Sequence, residues 1–430
     1  MSQLLNGQFM IKGLAIAVTT FMVGTAHAAK TEQQQIQELR QEVEALKSLI
    51  QQQQQVQQQQ QTQIAQVQQA KPAAPVSALS SLKSKSGADV SIYGSIRGDA
   101  NYIIKGADND FNLAHASKEE ASDKLRATAK VTRLGLDFNT PVGDNKVGGK
   151  VEVDFASLDN AKSENLRIRH AYLTLNNWLF GQTTSSFASV HAPEMIDFYT
   201  NIGGSGASAR VPQVRYSQKL APATQLFVSA EEGNSKATQD GDLSYRLPVL
   251  TAKMTQGFAD GKGLASARAL VEHYKSEAAN DDKTGWGAAV GANYQVAEPL
   301  KVSADVAYMK GNSNHLYGSN SAYSVVGNSI EQNEAVAVQV GATYNFSPKL
   351  RSTLAYGALF ADDGTDYARA AAAVPNTNAN EKVQQAWINF IYSPVKPVDL
   401  GIEYINGERE TFAGEKFSDD RVGFMARYSF

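Results

Sequence analysis

Seven basic side chains occur in short, otherwise apolar segments, at positions where an extended chain turns them to one side. Guanidinium groups bind carboxylates through two parallel hydrogen bonds, and a row of cations attracts and orients anions. The chemistry that this pattern predicts is recognition of small anions, without catalysis. The residues are Arg97, Arg133, Lys150, Arg167, Arg169, Arg215 and Arg427.

The last segment, residues 421–430, indicates which element positions such side chains. Val422, Phe424 and Ala426 alternate with polar or small residues, so an extended chain here has one apolar and one polar face. A terminal strand of this kind needs a partner on both edges, and a sheet closed into a barrel provides both. If the polar face lies inside the barrel, the apolar face meets lipid.

From residue 90 onward the chain consists of short alternating segments, and we count about sixteen of them. Six short connections hold many of the prolines (140–145, 176–177, 220–223, 297–299, 347–348 and 393–397), and the connections between them are mostly long and polar. Strict alternation of turns and loops is typical of an outer-membrane barrel. The segments lie near 90–104, 124–139, 146–157, 165–175, 178–184, 211–219, 224–233, 243–256, 263–276, 284–296, 300–312, 333–346, 349–361, 381–392, 398–407 and 418–430.

The polarity of single segments agrees with a transmembrane barrel. In segment 146–157, Val151 and Val153 alternate with Glu152 and Asp154, so one face carries charges in the middle of a strand. Such a face can lie inside a wide barrel only if water reaches it. Aromatic residues also recur at the turn ends, as in a girdle at the inner membrane interface. They are Phe138, Trp178, Tyr294, Tyr344, Phe346, Tyr392, Tyr428 and Phe430.

The residues before the barrel divide into three predicted parts. Residues 1–28 have the apolar run and small-residue cleavage site of a signal peptide, and Met10 is an alternative start. Residues 29–70 are rich in glutamine with apolar residues three and four apart, which predicts an α-helical coiled coil in the periplasm. A disordered glutamine-rich tether is the alternative. Residues 71–89 are the predicted flexible linker.

Composition excludes several classes of function. The chain has 430 residues, no cysteine and a formal net charge of −3, which argues against a nucleic-acid binder. Its histidines lack metal-ligand spacing, and we predict no metal, no cofactor and no enzymatic activity. The acidic run from Asp362 to Asp366 has the carboxylates of a calcium site, but a solvated acidic loop is the favoured interpretation.

Four motifs carry a resemblance to a known family. Tyr93-Gly-Ser-Ile-Arg97 opens the first strand, Lys150-Val-Glu-Val-Asp-Phe155 and Leu166-Arg-Ile-Arg-His-Ala-Tyr-Leu-Thr-Leu175 follow, and Tyr392-Ser-Pro-Val-Lys-Pro397 precedes the last strands and the terminal Phe430. In this order they resemble a proteobacterial trimeric porin. A glutamine-rich coiled coil joined to the barrel is similar, more narrowly, to the DcaP-like porins of Acinetobacter. The resemblance implies sixteen strands, a homotrimer and passive uptake of small anions, particularly dicarboxylates.

The resemblance also implies that the third outer loop, residues 185–210, folds into the pore. We expect the basic residues of strands sixteen and one to four to form one wall, with Glu194 and Asp197 of the loop facing it across the pore. The alternative is that the arginines pair with acids inside the barrel, such as Asp99, Asp137 and Glu152, and stiffen the wall.

The sequence therefore predicts an all-β, roughly 16-stranded antiparallel transmembrane barrel over residues 90–430, after an α-helical coiled coil. The predicted function is that of an outer-membrane porin through which small organic acids, in particular dicarboxylates, diffuse passively with a preference for anions. Expected partners are outer-membrane lipid, two further copies of the chain and, through the coiled coil, peptidoglycan. The competing hypothesis is a structural or adhesive anchor with a plugged barrel.

Overall fold

The computed structural model describes residues 82–85, 87–156, 165–198, 202–204, 210–238 and 241–430. Within those ranges the chain forms the predicted closed barrel of sixteen antiparallel strands. The predicted signal peptide and coiled coil, and the linker as far as residue 81, lie outside the described residues. In the described part of the chain, no helix is long and apolar enough to cross a membrane.

Fifteen of the barrel strands are single segments, and the second strand consists of two. In chain order they are β1 (Asp89–Gly106), β2 (Ala121–Thr128 and Arg133–Val142), β3 (Asn145–Asp154), β4 (Arg167–Leu175), β5 (Trp178–Thr184), β6 (Arg210–Ala221), β7 (Thr224–Glu231), β8 (Val249–Phe258), β9 (Gly263–Ser276), β10 (Asp281–Ala297), β11 (Leu300–Lys310), β12 (Glu334–Ser347), β13 (Leu350–Ala361), β14 (Asn380–Tyr392), β15 (Val398–Thr411) and β16 (Lys416–Ser429).

Each strand pairs with the strands before and after it, and the last strand pairs with the first. The register of β16 on β1 runs from Ser95 opposite Ser429 to Lys105 opposite Asp420. The terminal Phe430 extends this pairing, because its N–H donates to the carbonyl of Gly94 at 3.1 Å and its carbonyl accepts from the Gly94 N–H at 3.0 Å. The closed sheet therefore has no free edge along this seam.

The alternation of side chains follows the prediction for a barrel in lipid. In β3, Val151 is 43% exposed on the outer surface, whereas Glu152 and Asp154 are buried on the lumen side. Seven of the eight predicted girdle aromatics are exposed, and Phe138 is half-buried. Because exposed apolar side chains cover the outside and charged ones the inside, the outer solvent is lipid.

One β-bulge alters the alternation at a residue of interest. Between β3 and β4 the register shifts at Glu152 and Val153, so Arg169 becomes an extra residue on its strand. Beyond it, Leu173 and Leu175 are exposed on the outer surface although they have the same parity as Arg169. The bulge therefore allows Arg169 and the adjacent His170 to lie on the lumen side together.

The turns at one end of the barrel are short and the connections at the other end carry additional elements. Asn176, in the two-residue turn between β4 and β5, has φ +52°, a left-handed conformation that asparagine tolerates. The long connections contain the 3₁₀ segment Ala114–Ala116, helix α1 (Asp366–Ala372) and the hairpin of Tyr323–Val326 with Ser329–Gln332. A further pair, Leu82–Lys83 with Asp89–Val90, lies within the predicted linker.

Candidate functional site in the barrel lumen

The described part of the connection between β5 and β6, residues 185–198 and 202–204, runs through the lumen; we call it the constriction segment. Its first contacts are with β7 and β11. The Ser186 N–H donates to the Glu231 carboxylate at 3.0 Å, and the Ser189 hydroxyl donates to Asp305 at 2.7 Å. Polar side chains that point inward from the wall therefore bind the beginning of this segment.

His191 attaches the segment to β9 and β10. Its Nε2 lies 2.8 Å from the Ser266 hydroxyl and its Nδ1 lies 3.0 Å from Asn293 Nδ2. Burial, and then the positive charge of Arg268, lower the pKa of His191 to about 4. The ring is thus neutral at pH 7, so Nδ1 can accept from the asparagine amide while Nε2 donates to Ser266.

Glu194 does not face the basic wall of β1–β4, contrary to the sequence prediction. Its carboxylate makes a bidentate ion pair with Arg351 of β13, with both N–O distances at 2.7 Å. Its backbone carbonyl accepts from Trp387 Nε1 at 3.1 Å and from Asn389 Nδ2 at 3.0 Å. Three inward side chains of β13 and β14 therefore fix this residue, because together they match both its charge and its backbone.

Asp197 is also bound rather than open to the pore. It is 8% exposed, and its carboxylate accepts the N–H of Asn112 in the first outer loop at 2.9 Å. Beside it, Arg97 donates to the carbonyl of Ile196. The predicted arrangement of Glu194 and Asp197 across the pore from a basic wall was wrong, because Glu194 pairs with β13 and Asp197 binds the first outer loop. The segment does reach the basic wall through Phe198, whose ring centroid lies 5.7 Å from Arg167 and 5.5 Å from Arg169.

Two other outer loops enter the lumen on the same side. Asn112 of the first loop donates to the carbonyl of Asp419 at 2.7 Å, and Asn312 of the connection between β11 and β12 donates to Glu272 at 2.9 Å. Inside the wall, buried apolar residues pack together, among them Phe187 of the constriction segment and Leu316 of a loop. The part of the lumen beside β9–β13 is therefore a packed core.

Most of the predicted cations on the wall have an acidic partner nearby. Arg169 contacts Glu152 at 2.6 Å and Asp154 at 2.8 Å, and the contact of Arg133 with Glu152 is longer, at 3.3 Å. This is the pairing that the alternative interpretation of the sequence described. The other pairs are Arg97 with Asp99, Lys150 with Asp137, Arg167 with Asp154, and Arg427 with Asp399.

Three cations on β6 and β8 have no acidic partner among the described residues. Arg215 lies 5.8 Å from the ring centroid of Phe227, and the Lys253 ammonium lies 5.1 Å from the same ring. Arg210 is close enough to Arg167 and Arg169 for their charges to repel its own. Asp154 attracts Arg210, and Glu231 attracts Arg215 and Lys253, without forming an ion pair with them. These cations therefore continue the paired cluster along the wall without a direct acidic partner among the described residues. We call Arg210, Arg215 and Lys253 the unpaired strip.

The sequence analysis included Arg215 among the pore-lining cations but did not include Arg210 or Lys253. Arg210 served only as the end of the predicted loop. Lys253 had a usable signal, because Leu250 and Met254 have the opposite parity and are exposed to lipid. Nothing local in the sequence distinguished a paired cation from an unpaired one.

Family comparison agrees with this geometry. The family model described as DcaP outer membrane protein matches residues 22–430. The chain belongs to the DcaP outer membrane protein family. Among solved structures, the outer membrane channel DcaP of Acinetobacter baumannii is 66% identical, with a TM-score of 0.78 over 82% of this chain and 100% of that one. The resemblance predicted from the sequence is thereby confirmed, and the DcaP-family chain is an outer-membrane porin and not an enzyme.

More distant porins share the fold of this DcaP-family chain. OmpT of Vibrio cholerae is 16% identical, with a TM-score of 0.55 over 81% of this chain and 99% of that one. An anion-selective porin from Comamonas acidovorans is 12% identical, with a TM-score of 0.52 over 80% of this chain and 100% of that one. A search of curated proteins gives no significant match.

Proposed function

We propose that this outer-membrane porin prefers anions and conducts small organic acids, dicarboxylates in particular. The observation that carries the proposal is the unpaired strip, whose three cations form no direct ion pair with a described acid and feel Asp154 or Glu231 only at longer range. A solute with two carboxylates can contact two cations at once, for example one in the strip and one in the paired cluster. Arg133 is a candidate for the second contact, because its only ion pair with a described residue is 3.3 Å long.

The wider set of predicted pore-lining residues has a supporting function in this proposal. Arg97 and Arg427 bind the constriction segment or a wall acid, and they contribute to the field without being free to grip a solute. Lys150, Arg167 and Arg169 can exchange partners with a passing carboxylate, since each already holds one. Exchange of one charged partner for another costs less than leaving a buried charge unpaired.

The proposal includes the assembly and the periplasmic part of the protein. We infer a homotrimer, with the coiled coil of residues 29–70 in the periplasm and peptidoglycan as its candidate partner. A trimer form is known for OmpT of Vibrio cholerae, a porin of the same fold with 15% identity. The inference draws on that shared fold and on the closed symmetry usual for oligomers.

Planar-bilayer recording tests the central proposal. In a potassium chloride gradient, the reversal potential should have the sign of an anion-preferring pore. Succinate should then reduce the current at lower concentration than butyrate, a monocarboxylate of the same chain length, and the difference should be larger at low salt because salt screens these charges. Cation preference, or equal block by the two acids, contradicts the proposal.

The competing function, a plugged structural anchor, has one observation in its favour. The part of the lumen beside β9–β13 is a packed core that includes Phe187, Leu270, Met309 and Leu316. The same bilayer experiment distinguishes the two functions, because an anchor whose lumen is fully plugged conducts no ions.

A further inference from the structure

Four glycines on the lumen side of β10–β15 lie directly beneath the constriction segment. At each, a Cβ atom would come within 2.6 Å or less of an atom of the segment, closer than real Cβ contacts allow. The contacts come from four strands, so they form a track across the wall; we call it the glycine track. Its pairs are Gly291 with His191, Gly341 with Pro193, Gly357 with Ile202 and Gly401 with Ile196.

Glu403 lies two residues beyond the end of this track, on β15. It is 1% exposed, and its carboxylate accepts the N–H of Ile196 at 2.9 Å and the N–H of Asp197 at 2.8 Å. A third donor, Asn389 Nδ2, lies at 2.9 Å. A carboxylate that accepts two consecutive backbone N–H groups fixes the direction of that backbone, and such charged hydrogen bonds are stronger than neutral ones.

We propose that Glu403 is the positioning residue of the pore, and that it holds the constriction segment in the glycine track so that the segment is a fixed wall. The track excludes side chains from the space that the segment occupies, and Glu403 binds the segment where it crosses from β13–β15 towards β1. The width of the passage is then set by how far the segment stands from β9–β15. This inference goes beyond anion preference, since it applies to a solute of any charge.

The alternative is a segment that swings as a gate. The structure argues against a gate because the segment is attached at several independent points along its length. Ser186, Ser189, His191 and Glu194 each bind a different strand before Glu403 is reached. Glu403 differs from these anchors in that one carboxyl group accepts the N–H groups of two consecutive residues, Ile196 and Asp197.

Thiol accessibility tests the position of the segment without any reference to conduction. The chain contains no cysteine, so Met195→Cys introduces a single reporter beside Trp387, against which Met195 packs. In the otherwise native protein, a cationic methanethiosulfonate reagent should label this thiol slowly. Glu403→Ala should raise the labelling rate about tenfold or more, because exposure follows the population of the detached segment. Glu403→Gln, whose amide can still accept one or two of the three donors, should lie between.

Single-channel recording tests the consequence for the pore. Gly341→Ala should lower the open-channel conductance, because its Cβ would stand 2.5 Å from Pro193 and must push the segment towards the passage. Glu403→Ala should replace one steady level with several fluctuating levels. The matched controls are Gly98→Ala, whose Cβ meets nothing within 4 Å, and Glu408→Ala, on the outer face of the same strand as Glu403. Both controls should behave like the native protein.

The proposal is overturned if Glu403→Gln and Gly341→Ala both retain the native labelling rate and conductance. These two variants test the proposal even if Glu403→Ala does not fold. The ion preference of the same channels is read separately from the reversal potential. If the channel does not prefer anions but Glu403→Ala alters the labelling rate, the anion proposal fails and this inference stands. If the channel prefers anions but labelling and conductance are unchanged in the variants, only this inference fails.

Discussion

Neutralising the unpaired strip is the sharpest test of how this porin selects its solutes. The double variant Arg215→Gln with Lys253→Gln removes two cations that have no acidic partner in the described part of the chain, and both flank Phe227. Neither residue contacts the constriction segment through a hydrogen bond or ion pair described here, so the width of the pore should not change. The variant therefore separates charge from shape.

The size of the effect follows from Coulomb's law. A monovalent anion passing at about 6 Å from one cation gains about 0.7 kcal/mol in a water-like dielectric, and screening at 0.1 M salt reduces this to about 0.4 kcal/mol. Two cations together give about 0.8 kcal/mol, which is roughly a fourfold change in local anion concentration. In the variant, the local concentration of permeating cations rises by the same factor. The anion-to-cation permeability ratio should therefore fall by roughly fifteenfold.

The assay is the reversal potential in a salt gradient, with succinate-induced block measured on the same channels. Arg369→Gln with Lys416→Gln is the charge-matched control, because it removes two exposed cations that pair with Asp366 and Glu410 outside the lumen. The control should change the ratio little, since both charges are largely screened by solvent. An unchanged ratio and unchanged block in the Arg215 and Lys253 variant would refute the assignment of selectivity to the unpaired strip.

Three further predictions concern pH, closure and assembly. The native pKa of His191, about 4, is below its unfolded value of 6.5, so the contribution of His191 to stability falls as pH drops from 6.5 towards 4. In urea titrations, the difference in unfolding free energy between the native protein and His191→Gln should therefore shrink from pH 7 to pH 5. A constant difference contradicts this prediction. Phe430→Ala should destabilise the refolded barrel by about 1 kcal/mol in the same titration, because the Phe430 ring lies over Gly94 and is only half exposed. A change in conductance without a loss of stability would contradict the view that Phe430 serves only to close the barrel. Native mass measurement of the detergent-extracted protein should give three chains, and deletion of residues 30–69 should leave three; a dimer in either case would disprove the inferred trimer.

The barrel itself could be read from local patterns. Apolar and polar residues alternate with a period of two in an extended chain, so Val151, Glu152 and Val153 already reveal which face meets lipid. The spacing of turn residues then gives the number of strands and their order. Local alternation has a limit at Arg169, where a bulge reverses the parity of the residues that follow and no sequence pattern marks it.

The arrangement of the lumen was decided by contacts between residues far apart in the chain. Glu194 pairs with Arg351, 157 positions away, and Ile196 reaches Glu403 across 207 positions. No local pattern marks such partners, because an acid on a loop has the same sequence signature whether it faces water or an arginine on another strand. Long-range contacts also determined which cations of the wall form an ion pair with a described acid.

By itself, the sequence of this protein determined a closed barrel with a charged interior, because strand periodicity and turn chemistry act over a few neighbouring residues. Only the tertiary structure decided that the constriction segment lies in the glycine track against β10–β15, and that Arg210, Arg215 and Lys253 form no ion pair with an acid in the described part of the chain. The physical reason is that packing and ion pairing depend on which side chains the closed barrel brings within a few ångströms of each other.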